Sequence, residues 1–295
     1  MPFHFKRKEP VSKAVRRLCR ERIDGALRSL KTGNHRETVH NVRKEIKKFR
    51  AVLRLMRGEI GRTGYRKNAR ALRSAAGLMT AMRDAQAQLN AFQSLVKHNR
   101  RHLPARSFPS IKKALQEHCL GQEERFWKGR SLASVNRILG KLKEDAGGLK
   151  TSAKGWKAVQ PGLKSSFCRG REALAAVQEH SSVETFHEWR KRVKDLWYHL
   201  RLLDTIWPQE LRAATDELER LGEFLGDDHD LVMLAEFIAA RKFPEAEVAG
   251  LGRLARRRQK ELRAVALRAG ARFYAESPRR FCLRMERYWK IWRRE

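Results

Sequence analysis

From Val11 onward, apolar residues return every three or four positions, the period of helices that bury one face. The pattern predicts helices over 11–31, 35–57, 65–100, 107–127 and 131–149. It predicts five more over 161–179, 182–206, 208–241, 245–270 and 278–293. Pro10, Pro104, Pro109, Pro161, Pro208, Pro244 and Pro278 punctuate these segments, because a residue without an amide hydrogen fits best at a helix boundary. No alternating strand pattern and no Asn-Gly or Asp-Gly hairpin interrupts them. The Gly-rich stretch 146–155 is the expected hinge between halves 11–150 and 155–293, with 1–10 as an N-terminal extension.

The second feature is a repeat. The helix starting near His40 returns near His187 without a gap, at an offset of 147 residues. Arg43 falls on Arg190, Lys44 on Lys191, Lys47 on Lys194 and Arg54 on Arg201. The apolar frame repeats as well: Val42, Ile46, Phe49, Leu53 and Met56 match Trp189, Val193, Leu196, Leu200 and Leu203. Arg83-Asp84, on the helix after the first copy, matches His229-Asp230 at an offset of 146. A tandem antiparallel helical unit with short connections predicts an all-α, up-and-down bundle architecture.

Charge then narrows the chemistry. The 295 residues carry 66 Lys+Arg against 33 Asp+Glu, a formal charge of +33. With 41% hydrophobic residues the chain can still build a core, so disorder does not explain the charge. Such an excess repels itself unless an anion neutralises it, which makes nucleic acid, inorganic polyphosphate or an acidic membrane surface the candidate partners. Cys19, Cys119, Cys168 and Cys282 show no metal spacing and are expected as packed free thiols. The start of the chain has no apolar leader and no segment reaches transmembrane length, so a cytoplasmic protein that does not bind membranes is expected.

His40, Arg43, Lys44, Lys47, Arg50 and Arg54 share one helical face, and His187, Arg190, Lys191, Lys194 and Arg201 share another. Few acids stand at i,i+4 positions to pair with them, and each like-charged pair costs about 0.2–0.5 kcal/mol. An anion would relieve that cost. Arg offers a planar fork for two phosphate oxygens and Lys a mobile point charge, a mixture suited to a flexible chain of phosphates. Arg20, with Lys13 and Arg16 on the first helix, and Arg169 on its counterpart are expected to assist. His40 and His187 head the stripes, where an imidazole either donates to an anion or packs the helix start. Asp227, Asp228, His229 and Asp230 crowd together, but fit a helix charge pattern or acids that orient an Arg better than a metal site.

These repeated histidine-led basic helices, each followed by an Arg-Asp-like step, resemble the CHAD family (conserved histidine α-helical domain) from about Val11 to Trp292. The resemblance implies a single domain over 11–293, made of two pseudo-symmetric four-helix bundles around a central basic channel. It implies binding of inorganic polyphosphate and association with polyphosphate granules. The motif residues carried over are His40, Arg43, Lys47, Arg50 and Arg54, then His187, Arg190, Lys194 and Arg201. The copies differ: Asp195 and Trp197 stand where the first copy has Lys48 and Arg50, so the second stripe is the less basic.

Two other functions are compatible with parts of the sequence. Sequence-independent nucleic-acid binding suits the charge, but single-strand binding normally adds exposed aromatics, and many aromatics here fall at core spacing. Phosphoryl chemistry would need metal-binding carboxylates, and Glu188, Asp195 and the acids at 227–230 have unconvincing spacing. No P-loop or nucleophile motif is present. The expectation is a binding protein without catalysis, cofactor or metal.

Overall fold

The computed structural model describes residues 2–31, 35–104, 107–146, 148–149 and 151–295, without the side chains of His35 and Arg36. Residues 147 and 150 of the expected hinge lie outside that set. The described residues are all-α, with no strand.

The first half holds α1 (Val11–Ser29), α2 (His35–Leu55), α3 (Arg62–Gly77), α4 (Thr80–His98), α5 (Pro109–Lys128) and α6 (Ser131–Ala146). The second holds α7 (Trp156–Glu179), α8 (Val183–Leu202), α9 (Pro208–Ala239), α10 (Glu245–Phe273) and α11 (Pro278–Arg294). Local chemistry sets the helix starts. Pro109, Pro208 and Pro278 open α5, α9 and α11, where their missing amides cost nothing. Ser182 and Thr185 form a capping box at α8: the Ser182 hydroxyl accepts from the Thr185 amide at 3.2 Å, and the Thr185 hydroxyl accepts from the Ser182 amide at 3.0 Å.

Two expectations are corrected. The helix expected over 65–100 is two helices, α3 and α4, separated at Leu78 and Met79. The apolar period runs across that break, so periodicity alone does not reveal it. Pro161 lies inside α7 instead of opening it. It sits on the exposed side of the helix, where the Lys157 carbonyl deprived of its partner can be hydrated.

Helix neighbours recur between the halves. α1 packs on α2 and α6 as α7 packs on α8 and α11, and α4 packs on α5 as α9 packs on α10. The pattern is compatible with a repeated bundle. The halves nevertheless share one core: a continuous apolar cluster runs from Leu18, Phe49 and Met56 to Trp189, Leu200 and Trp289. A second cluster joins α4 and α5 to α9 and α10 through Phe92, Ile111, Leu234 and Leu251. Where α2 meets α8, buried His199 ties three helices together. Its Nε2 donates to the Ala51 carbonyl at 3.0 Å and its Nδ1 accepts from the Ser166 hydroxyl at 2.7 Å. Burial pushes this imidazole down to about 3, so it is neutral.

The segment before α1 is packed. Phe5 is fully buried against Trp289, its amide donates to the Leu202 carbonyl at 2.9 Å, and its carbonyl accepts from Thr205 Oγ1 at 3.0 Å. Phe3 meets Tyr198 edge-on at 6.2 Å.

Candidate polyanion-binding site

The N-terminal halves of the two stripes converge. The Lys47 side chain reaches solvent but is flanked by protein and by other cations. Partial desolvation, then Arg43, Arg190, Arg83 and Lys194, push its ammonium down to about 8. Five cations from α2, α4 and α8 thus share one place, and Lys47 lies among them. Arg43 donates to the Ala76 carbonyl at 3.0 Å, which fixes it against the end of α3. Arg83 bridges Asp84 at 3.0 Å and Asp230 of α9 at 3.2 Å. Burial works against its charge, but the two carboxylates outweigh that and raise its pKa.

The α8 side is shaped by glycines of α9. A Cβ at Gly222 would stand 2.7 Å from Lys194 Cε, and one at Gly226 would stand 3.5 Å from Arg190. Lys194 thus occupies the space a side chain at Gly222 would take, whereas at Gly226 a Cβ would make only ordinary contact with Arg190. Lys194 and Arg201 each stand 4.7 Å from the Trp197 ring centre. Burial and then Arg190 lower the Lys194 pKa.

The stripe histidines are neutral. Desolvation, then Lys44 and Lys47, lower the pKa of His40; desolvation, then Lys191 and Arg190, lower that of His187. His187 packs against His229 with ring centres 4.3 Å apart and the planes tilted by 36°. Burial, then His187, push His229 down to about 4. The Nδ1 atoms of both rings are buried without a partner.

Lys44 and Lys191 are exposed, and Lys191 pairs with Glu188 at 3.3 Å. Arg50 and Arg54 belong to a different place. With Arg169 they line a cavity of about 680 Å³ between α2, α3, α7 and α8. Arg20 is exposed, on the face of α1 opposite its buried residues, and does not line the cavity. The residue 147 positions before Arg169 is Arg22, which is buried and paired with Glu45 at 3.1 Å. Two of the crowded acids are taken: Asp228 holds Arg263 at 2.8 Å and Asp230 holds Arg83. Among the described residues no group of three His, Cys, Asp or Glu is placed to hold a metal ion.

Arg73 and Arg192, which also line the cavity, lie off the stripes and escaped sequence reasoning, as did the part played by Gly222. A glycine, Gly222, on the helix after a basic helix was the available signal. Among the described residues no helix is long and apolar enough to cross a membrane, and none of the four cysteines forms a disulfide.

No curated protein matches the chain. Among the solved structures that share its fold are two that cover nearly the whole chain. PptA from Streptomyces chartreusis superposes with a TM-score of 0.65 at 14% identity, covering 91% of this chain and 100% of that one. The CHAD domain from the plant Ricinus communis gives 0.63 at 17% identity, covering 94% and 97%. The CHAD domain sequence profile matches residues 14–239, about three quarters of the chain and both basic helices, and the chain therefore belongs to the CHAD domain family.

Proposed function

We propose that this protein binds inorganic polyphosphate along the two motif helices and serves at polyphosphate granules as a binding protein, without chemistry of its own. The observation that carries the reading is the convergence of Arg43, Lys47, Arg83, Arg190 and Lys194, where desolvation and then the neighbouring cations depress the Lys47 ammonium. A polyanion removes that repulsion, and alternating Arg and Lys accept a phosphate chain in any register. Family membership supports the same ligand. Nucleic acid is the weaker reading because Trp207, 46% exposed, is the one exposed Phe, Tyr or Trp among the described residues, which leaves little for bases to stack on.

The test is a competition titration at moderate salt with long-chain polyphosphate, duplex DNA and single-stranded RNA at equal phosphate concentration. Polyphosphate should win. The combined variant Arg43→Gln, Lys47→Gln, Arg190→Gln, Lys194→Gln should weaken it on the order of 100-fold and flatten the salt dependence by about three units of slope. Equal competition by nucleic acid, or unchanged affinity in the variant, would overturn the assignment.

A further inference from the structure

The cavity beside the stripes has the dimensions of a small-molecule site. Its volume of about 680 Å³ falls within the roughly 300–1,000 Å³ of such pockets. Its charged lining is Arg50, Arg54, Arg57, Arg73, Arg169 and Arg192, opposed by the carboxylate of Asp195. The central cluster mixes Lys with Arg; this lining has no Lys. Planar guanidinium forks recognise oxygens at fixed positions, whereas mobile ammoniums follow a sliding chain. The lining therefore suits a compact anion held in one pose.

The walls are firm. A Cβ on Gly162 would stand 1.8 Å from the Leu55 carbonyl oxygen, so α7 reaches α2 only because this residue lacks one. Ser166, also in the lining, is locked by its bond to His199. Asp195 already behaves as a first anion: Arg54 pairs with its Oδ1, and Arg192 reaches its Oδ2 at 3.3 Å. Arg50, Arg57, Arg73 and Arg169 make no ion pair among the described residues, and Arg57 lies over the Tyr65 ring at 5.3 Å.

We propose that this cavity is a discrete site for one compact oligophosphate per chain, about three linked phosphates, and that Arg54 and Arg192 exchange Asp195 for the ligand as it enters. The choice of phosphate rests on the polyphosphate reading above, while the site itself rests on the cavity. The ligand is either a free oligophosphate or the end of a long chain.

Calorimetric titration of the full chain with inorganic tripolyphosphate tests this. One molecule should bind per chain. Arg73→Gln with Arg169→Gln should weaken it at least tenfold, and Asp195→Asn, which removes the competing charge, should strengthen it severalfold. The four-residue variant of the central cluster should change it less than threefold. Repeating the titration with long-chain polyphosphate, ends free or blocked by a bulky amide, separates the two sources. Affinity lost in the Arg73/Arg169 variant only for free ends identifies the chain terminus; no loss for either form identifies a free oligophosphate. Tripolyphosphate affinity unchanged by both the Arg73/Arg169 and Asp195 variants overturns the site, as does loss through the central variant alone. Should the double variant fail to fold, Asp195→Asn decides. Absence of long-chain binding with tripolyphosphate retained would sink the polyphosphate reading and leave the cavity standing.

Discussion

The two flanks of the α2–α8 contact occupy equivalent positions in the repeat, yet one is open and the other is filled. On the open flank, Arg50, Arg169 and Arg192 line the cavity with Asp195. On the other, 147 positions away, stand Trp197, Arg22, Glu45 and Lys48. There Glu45 pairs with Lys48 at 2.7 Å and with Arg22 at 3.1 Å, and Phe3 covers the group with both cations within 6 Å of its ring. Trp197 closes the space that Arg50 leaves open. The helical frame is the same on both sides, and what differs is whether aromatic volume and a matching carboxylate meet the cations. Equivalent positions of the sequence repeat thus keep the core in common while a few side chains decide which flank is open and which is filled.

The filled flank depends on the N-terminal arm, and removing its anchor is the largest perturbation. Phe5→Ala empties a fully buried site and should cost about 3–5 kcal/mol in urea denaturation. An unchanged midpoint would mean that the arm rests on the surface and the flank is closed by Trp197 alone.

The joint between the flanks is sensitive to acid. Folded His199 refuses a proton until about pH 3, whereas the unfolded chain takes one up below about pH 6.5. Stability is therefore fully present above about 6.5 and falls as pH drops towards 3, at up to about 1.4 kcal/mol per unit. From pH 6.5 to 4.5 the loss should be about 2–3 kcal/mol, and His199→Gln should flatten that part of the curve. A parallel pH profile in the variant would remove His199 as the joint.

Much of this was legible in the chain. The stripes follow from helical period, and the offset of 147 pairs Arg43 with Arg190 and Lys47 with Lys194 before any coordinates. The repeated step at Asp84 and Asp230 pointed to α4 and α9, where Arg83 does join Asp230. What stayed hidden depends on where helices cross. Period places Arg50 and Lys47 on one face, but only the α2–α8 contact separates them into cavity and central cluster. Arg73 and Arg192 sit on no stripe and reach the cavity through packing. The exposed position of Arg20 was equally hidden, because charge on α1 says nothing about which side meets α2.

Two neighbouring lysines on α2 carry the contrast to single residues. Lys47, with its ammonium at about 8, should gain protonation when a polyanion binds. Polyphosphate affinity should therefore fall about fivefold to tenfold between pH 7 and 9, as free Lys47 loses its charge. Lys47→Arg, which stays charged, should remove most of that fall. A profile identical to that of the unsubstituted chain would place the titrating group elsewhere.

Lys48 is next in sequence and carries the same formal charge, but its helical position turns it 100° away, to Glu45 and under Phe3. Its charge is already answered by a carboxylate, so a polyanion gains nothing from it. Lys48→Gln should change polyphosphate affinity less than twofold in the titration where the four-residue variant loses about 100-fold, and Arg22 remains to hold Glu45. A loss approaching that of a stripe residue would show affinity following the total charge of +33 and not its placement. The difference between the open and filled flanks would then have no bearing on what the protein binds.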